Sequence, residues 1–509
     1  MKKTAAAFAI ALSMVLTFTT SAVAEDTAPA PQGNERSRND SYLLQFADLG
    51  TSENENGYIK TYTTKSTGNS YKFYSAVLPN CNDKFKFGCI KSIEVKLKTE
   101  AVWEKLTPGA KFWNDRVATW NPNPDGTRTD NLWSSWVGDE ESGLPPSEKV
   151  QLYDSALHTH GGGSSYLVKA LMNGFESSPG KFTVTEFGLS ISPEKIMSYD
   201  KSIPGSKEVL SVRNYIFPQN LEFRLTMNLG VLYPQLNGWF FGRVIDAEIE
   251  PDARNRTLVV RGGPSKTPVQ SGYMPYPVPA EFKDEFRAGP SQTNGNLPTY
   301  VYSPTFTTAG NPIENWLRFE PYLNQRASFE PEVWKINAAP KSTFVVNQDF
   351  QNCLEDKPGI SGLLTTNATV YDPNPPSWDA KDATLTYQVA GPEQLSDGSK
   401  NRGNYLLAIR ADVASCLWKS DLKNAKATVE VTNGDGSAGA QIATTSLSQK
   451  NGWLYFSASG FHFSAPKIKV KLVPAKILKI NCFKGKVIKT VTGSDPKCPT
   501  GYKKKSLTI

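Results

Sequence analysis

Histidine is almost missing from this chain. There are three in 509 residues, His158, His160 and His462, so a mechanism passing protons through several imidazoles has little to work with. The nucleophile elbow G-x-S-x-G is absent, which removes the usual serine-hydrolase layout. No Cys-x-x-Cys occurs, so structural zinc has no ligand pattern. Long apolar runs are lacking beyond the N-terminus. The richest stretch, Leu221 to Val244, is broken by Glu222, Arg224, Asn228, Pro234 and Asn237, and a membrane-spanning helix needs about 20 apolar residues. No transmembrane segment is expected in the mature chain. Helical periodicity is scarce as well, with short helices expected only near Ser164 to Met172 and Pro279 to Phe286.

What is present begins with an export signal. Met1-Lys2-Lys3 leads into an apolar run from Thr4 to Leu16 and a small-x-small site at Ala22-Val23-Ala24. This three-part pattern predicts a Sec-type signal peptide over residues 1–24, and hence an extracellular or cell-surface protein. Residues 25–40 are small, polar and Pro-containing and read as a disordered spacer.

From Ser41 onward the texture is β. Alternating apolar and polar residues predict strands at Ile93–Lys98, Phe182–Phe187, Leu221–Met227, Val244–Ile249 and Thr257–Val260. Gly (38) and Pro (35) are plentiful, as turns between short strands require. The Gly262–Asn311 stretch is either an excursion from one domain or a boundary within it. After Pro340 short strands recur evenly, at Val345–Val346, Thr384–Val389, Tyr405–Ile409, Ala427–Val431, Trp453–Ser457 and Ile468–Leu472. That spacing suggests an immunoglobulin-like β-sandwich over 341–474. The expected fold is therefore mainly β: one or two β-rich domains of unnamed fold over 41–340, the sandwich, and a small basic tail over 475–509.

The six cysteines fall as neighbouring couples, Cys81 with Cys89, Cys353 with Cys416, and Cys482 with Cys498. An even count in an exported chain reads as disulfides, and neighbour pairing is the simplest of about 15 arrangements.

The net charge of +7 is unevenly placed. Residues 475–509 hold nine lysines against one acid, Asp495, and the first 24 residues carry +2. Subtracting +8 and +2 leaves −3 for residues 25–474. A mildly acidic body argues against nucleic-acid binding, and a cationic tail suits an anionic cell-envelope polymer. Lys484, Lys486, Lys497, Lys503, Lys504 and Lys505 are the candidate contacts.

The tail also resembles a known module. Ile480-Asn481-Cys482-Phe483-Lys484-Gly485-Lys486 and Pro496-Lys497-Cys498-Pro499-Thr500-Gly501-Tyr502-Lys503-Lys504-Lys505 are similar to a short C-terminal Cys/Lys-rich module of uncharacterised actinobacterial secreted and cell-surface proteins. Its form there is close to ITCVKGK followed by PKCPxGYKKK. This chain departs at Asn481 and Phe483 and adds four residues after the lysines. The stretch from Ala427 to Leu472 resembles a β-sandwich module that precedes the tail in such proteins. The resemblance implies export and surface placement, and it carries over no known enzymatic activity.

Several constellations carry weaker chemistry. His158-Thr159-His160-Gly161-Gly162-Gly163 has the form of an oxyanion loop without its nucleophile. It is read as a polar glycine turn, with metal binding by the two histidines as the lesser alternative. Asn121 to Asp130 resembles the start of a calcium loop, but its prolines and Leu132 favour a Pro-Asp-Gly turn. Trp103, Trp113, Trp120, Trp133 and Trp136 crowd 34 residues. Exposed, they would stack sugar rings; buried, they are core. Trp113, Trp120, Trp133 and Trp136 are kept as ligand candidates, as is Arg243 in Gly238-Trp239-Phe240-Phe241-Gly242-Arg243. No cofactor and no metal is expected. The leading function is a non-enzymatic exported surface protein held at the envelope by its tail. The alternative is a secreted glycan-binding protein or a polysaccharide hydrolase with an unrecognised carboxylate pair.

Overall fold

The computed structural model describes residues 41–47, 58–63, 70–83, 86–114, 150–178, 181–199, 209–236, 238–284, 286, 299–302, 312–340, 346–355, 357–419, 426–432, 444–463, 467–473, 478–485, 487–493 and 497–504. The fold is mainly β, as the alternation predicts.

Leu221–Asn228 shows how the pattern becomes structure. Every second side chain, Leu221, Phe223, Leu225 and Met227, is at most 1% exposed, while those between are half-buried. The strand lies antiparallel between Cys89–Leu97 and Thr257–Lys266. A second, longer sheet runs through Tyr58–Thr63, Ser70–Val77, Ser165–Ser178, Lys181–Tyr199 and Glu332–Pro340. The two sheets share one core, in which Tyr166 meets Phe223 and Phe187 stacks on Phe240.

Gly238–Asp252 joins the two sheets by bending between them. Its first half pairs with Glu332–Pro340, and its second half with Thr257–Lys266. The turn from one to the other is a register shift between Ile245 and Glu248, where Asp246 takes a positive φ of 52°. A bulge of this kind increases local twist and lets a strand change sheets. Gly262 faces the bend at φ 147°, against Val244 and Ile245, where no Cβ could fit. Trp334 Nε1 donates to the Gly262 carbonyl at 2.8 Å and locks the corner.

Hydrogen bonding does not break at 340/341. Gly362–Thr366 pairs parallel with Trp239–Gly242, then antiparallel with Arg402–Arg410. Trp453–His462 and Thr444–Lys450 continue that layer. Against it lies a layer of Val370–Tyr371, Ser377–Asp379, Thr384–Ala390, Lys467–Val473 and Lys426–Thr432. The two layers form a β-sandwich with Leu364, Leu407, Ile409, Phe456, Leu385, Val389, Ile468 and Val470 between them. Trp239, from the N-terminal half, is part of the same core.

The described parts of Gly262–Asn311 are also tied into the body. Ser41–Phe46 is buried along its whole length, paired antiparallel with Gln270–Pro275 and parallel with Thr299–Tyr302. Its core takes Val370 and Ala390 from the sandwich.

The three disulfides are Cys81–Cys89, Cys353–Cys416 and Cys482–Cys498. Cys353–Cys416 joins the helices Gln348–Glu355 and Ala411–Trp418, and does not bridge the two layers as an immunoglobulin disulfide does.

Three local expectations are corrected. Residues 164–172 are not helical: Ser165–Ser178 is a strand with partners on both sides, because its apolar run is enclosed by sheet neighbours. Val346 is not in a strand but leads into the helix from Gln348. Among the described residues of Pro279–Phe286 only Ala280–Phe282 forms a 3₁₀ turn, and an α-helix lies later, at Pro312–Phe319.

Candidate functional site

The basic tail is an ordered three-stranded sheet. Leu478–Lys484 forms a hairpin with Val487–Gly493 and pairs on its other edge with Lys503–Lys504. The register places Lys489 and Lys504 on either side of Cys482, whose fully buried sulfur is bonded to Cys498. Gly501 adopts φ 83° in the turn before the last strand, and Lys484 passes over it. Thr490 Oγ1 donates to Asn481 Oδ1 at 2.9 Å across the hairpin. A disulfide is the economical way to order so small a sheet, which cannot build a core of its own.

Lys484, Lys489, Lys497, Lys503 and Lys504 are exposed on this sheet. Among the described residues Lys484, Lys489, Lys503 and Lys504 form no ion pair with a carboxylate. Lys486 and Lys505 lie outside the described residues. At the hairpin tip Val487 and Ile488 are 57% and 59% exposed.

The His158–Gly163 stretch is closed by internal hydrogen bonds. His160 N donates to Gly163 O and Gly163 N to His160 O, at 2.7 and 3.0 Å. Gly162 N donates to His160 Nδ1 at 3.2 Å, and His160 Nε2 donates to Ser165 O at 2.8 Å. The glycine N–H groups at 162 and 163 are thus spent within the loop, which removes the oxyanion-hole reading. His160 is a neutral imidazole by this bonding, and burial pushes its pKa below the ordinary value. Tyr215 and Tyr166 pack against its ring, and Gly162 is pressed on Tyr215 with no room for a side chain.

His158 is the reverse case. Its Nδ1 lies 2.6 Å from Glu104 Oε2 and its Nε2 2.8 Å from Glu100 Oε2, and its side chain is only 5% exposed. Burial opposes charge, but the bonds to Glu104 and Glu100 outweigh it and raise the His158 pKa. Glu104 also accepts from Ser155 Oγ at 2.6 Å and from the Ala156 and Leu157 N–H groups. Those bonds, with His158, overcome its burial and hold its pKa down. Glu100 is held low first by the Leu97 N–H and then by His158. All four ring nitrogens of the two histidines have protein partners, which leaves no arm for a shared metal. No cluster of three metal-ligating side chains occurs among the described residues.

The remaining candidates divide. Trp120, Trp133 and Trp136 lie outside the described residues, with the 121–130 loop. Trp113 lies in the strand Thr107–Asn114, and its side chain is outside the description. Trp103 is described, and its ring is not a free stacking face: Arg224 sits 4.6 Å and Lys96 5.1 Å from its centre, with Arg224 in turn clamped by Glu94 at 2.6 and 2.7 Å. Arg243 is no surface contact. It is fully buried, donates to the carbonyls of Thr366, Ala368 and Thr369, and lies 4.6 Å over the Tyr371 ring. It staples the bent strand to the sandwich, which no sequence pattern could reveal.

A cleft of about 330 Å³ is lined by Tyr215, Lys266, Phe329, Glu330, Glu332 and Ser396. It brings together two carboxylates that sequence reasoning did not single out. Both are engaged: Glu330 accepts from Ser396 N and Oγ at 2.6 and 2.8 Å, and Glu332 accepts from Phe217 N at 3.1 Å. Burial raises the Glu332 pKa against the nearby Lys266.

No protein-family model matches the chain, and no curated protein matches it.

Proposed function

We propose that this is an exported, non-enzymatic surface protein whose β body binds or packs against an extracellular partner while its basic tail holds an anionic polymer of the cell envelope. The observation that carries this reading is the C-terminal sheet. It is cross-linked by Cys482–Cys498 and presents Lys484, Lys489, Lys503 and Lys504, which form no ion pair with a carboxylate among the described residues. A solvated, unemployed tail has no need of a disulfide to order it. Lysines pair with phosphate or carboxylate groups as point charges, a contact that tolerates an irregular polymer. The signal-like residues 1–24 and three disulfides support placement outside the cytoplasm.

The experiment compares the intact protein with one ending at residue 474, in cells fractionated at low and high salt. Retention of the intact form at low salt, its release at high salt, and loss of the truncated form to the medium are expected. A truncated protein that stays with the cells would refute the tether.

A further inference from the structure

We propose that His158, Glu100 and Glu104 form a latch that is closed in mild acid and releases Glu100, but not Glu104, as the pH rises. The geometry is the starting point. Both ring nitrogens of His158 lie within 2.8 Å of a carboxylate oxygen, and only an imidazolium can donate from both at once. A neutral ring has one N–H, so one of these contacts would set a nitrogen lone pair against a carboxylate oxygen.

The two arms are unequal. Glu104 is 11% exposed and is anchored by Ser155, Ala156 and Leu157 as well as His158. Glu100 is 39% exposed, and its remaining anchor is the Leu97 N–H at 2.8 Å within its own turn. On deprotonation the last ring proton stays on Nδ1, facing Glu104, and the Nε2 contact to Glu100 opens.

The surroundings leave the change to His158. From the strand Cys89–Leu97, Lys96 donates to Glu100 O and pairs with Glu222 at 3.6 Å. Arg224 is engaged with Glu94. From Ser165–Ser178, the Tyr166 hydroxyl donates to His158 O, and burial raises its pKa. On the loop itself His160 is held neutral, and Asp154 accepts from Ser165 Oγ.

The sign follows from linkage. A histidine with a raised folded pKa contributes stability that is complete below its ordinary value of 6.5 and is lost as pH climbs through the folded value. The carboxylates, held below 4.5, contribute above that value and fail only as pH falls through their lowered values. The latch is therefore tightest between about pH 4.5 and 6.5. It joins the turn after Cys89–Leu97, in one sheet, to the loop between Val150–Asp154 and Ser165–Ser178, in the other.

The test uses the full chain. With three histidines, proton NMR of their ring signals is assignable by H158Q, H160Q and H462Q. His158 is expected to titrate above His160 and above 6.5. Hydrogen exchange, corrected for intrinsic rates, should show residues 97–101 losing about tenfold in protection as pH passes the His158 transition, with 155–158 protected on both sides of it. E100Q, at a half-buried position, keeps the fold and should abolish the pH step. Titration of His158 at or below His160, unchanged protection at 97–101, or a wild-type step in E100Q would each overturn the proposal.

Discussion

Replacing Trp239 with alanine tests whether the two halves of the body fold as one. The indole is fully buried, meets Phe350 edge-on at 5.9 Å and covers Gly362, whose Cα leaves no space for a side chain beneath it. Both contacts lie across the 340/341 position. A buried Trp→Ala change costs about 4 kcal/mol. Unfolding entropy is about 2.1 cal/mol/K per residue, so a cooperative unit spanning roughly 430 residues carries about 0.9 kcal/mol/K and should shift by about 4–5 °C. Two independent units would behave otherwise. The N-terminal one, roughly 300 residues long, would shift by about 6–7 °C, and the sandwich would keep its transition. Scanning calorimetry of residues 25–509 distinguishes these outcomes. One endotherm moving as a whole is expected. Two endotherms, of which W239A moves only one, would refute the shared core.

Other changes have different signatures. R243M should destabilise the body by about 2–4 kcal/mol in chemical denaturation, since three carbonyls lose a charged donor while some desolvation cost is relieved; a neutral result would return Arg243 to the ligand candidates. C482S/C498S should free the tail sheet, at about 3 kcal/mol for a loop of this size, so limited proteolysis clips the last 35 residues while the body's melting temperature holds. E330A should cost about 1–2 kcal/mol through the orphaned Ser396 donors. If E330A or E332Q instead abolished cleavage of an envelope polysaccharide by a stable protein, the non-enzymatic reading would fall.

The periodicity of single strands was legible: Leu221–Asn228 and residues 467–471 of the strand Lys467–Val473 each bury alternate residues because a pleated strand has a period of two whatever its partner. Ser165–Ser178 was not. A strand enclosed by neighbours reads as an apolar run, and its flanks do not separate it from a helix. The cysteine couples and the tail's charge are properties of composition and could be read directly. The joint at Trp239–Gly362 could not, because a parallel pairing of residues 123 positions apart (362 − 239) leaves no mark in either segment.

By itself the amino-acid sequence determined the β character, the export-like N-terminus, the disulfide-compatible cysteines and the segregation of positive charge into the last 35 residues. These depend on local pattern and count. Only the tertiary structure decided that strand pairing crosses residue 340, that Arg243 is a buried staple, and that the His158 pKa is raised while that of His160, two residues on, is lowered. Each of those depends on which distant groups the fold brings within bonding distance. For the two histidines, that means two carboxylates from residues 100 and 104 for one ring and only a backbone carbonyl and N–H for the other.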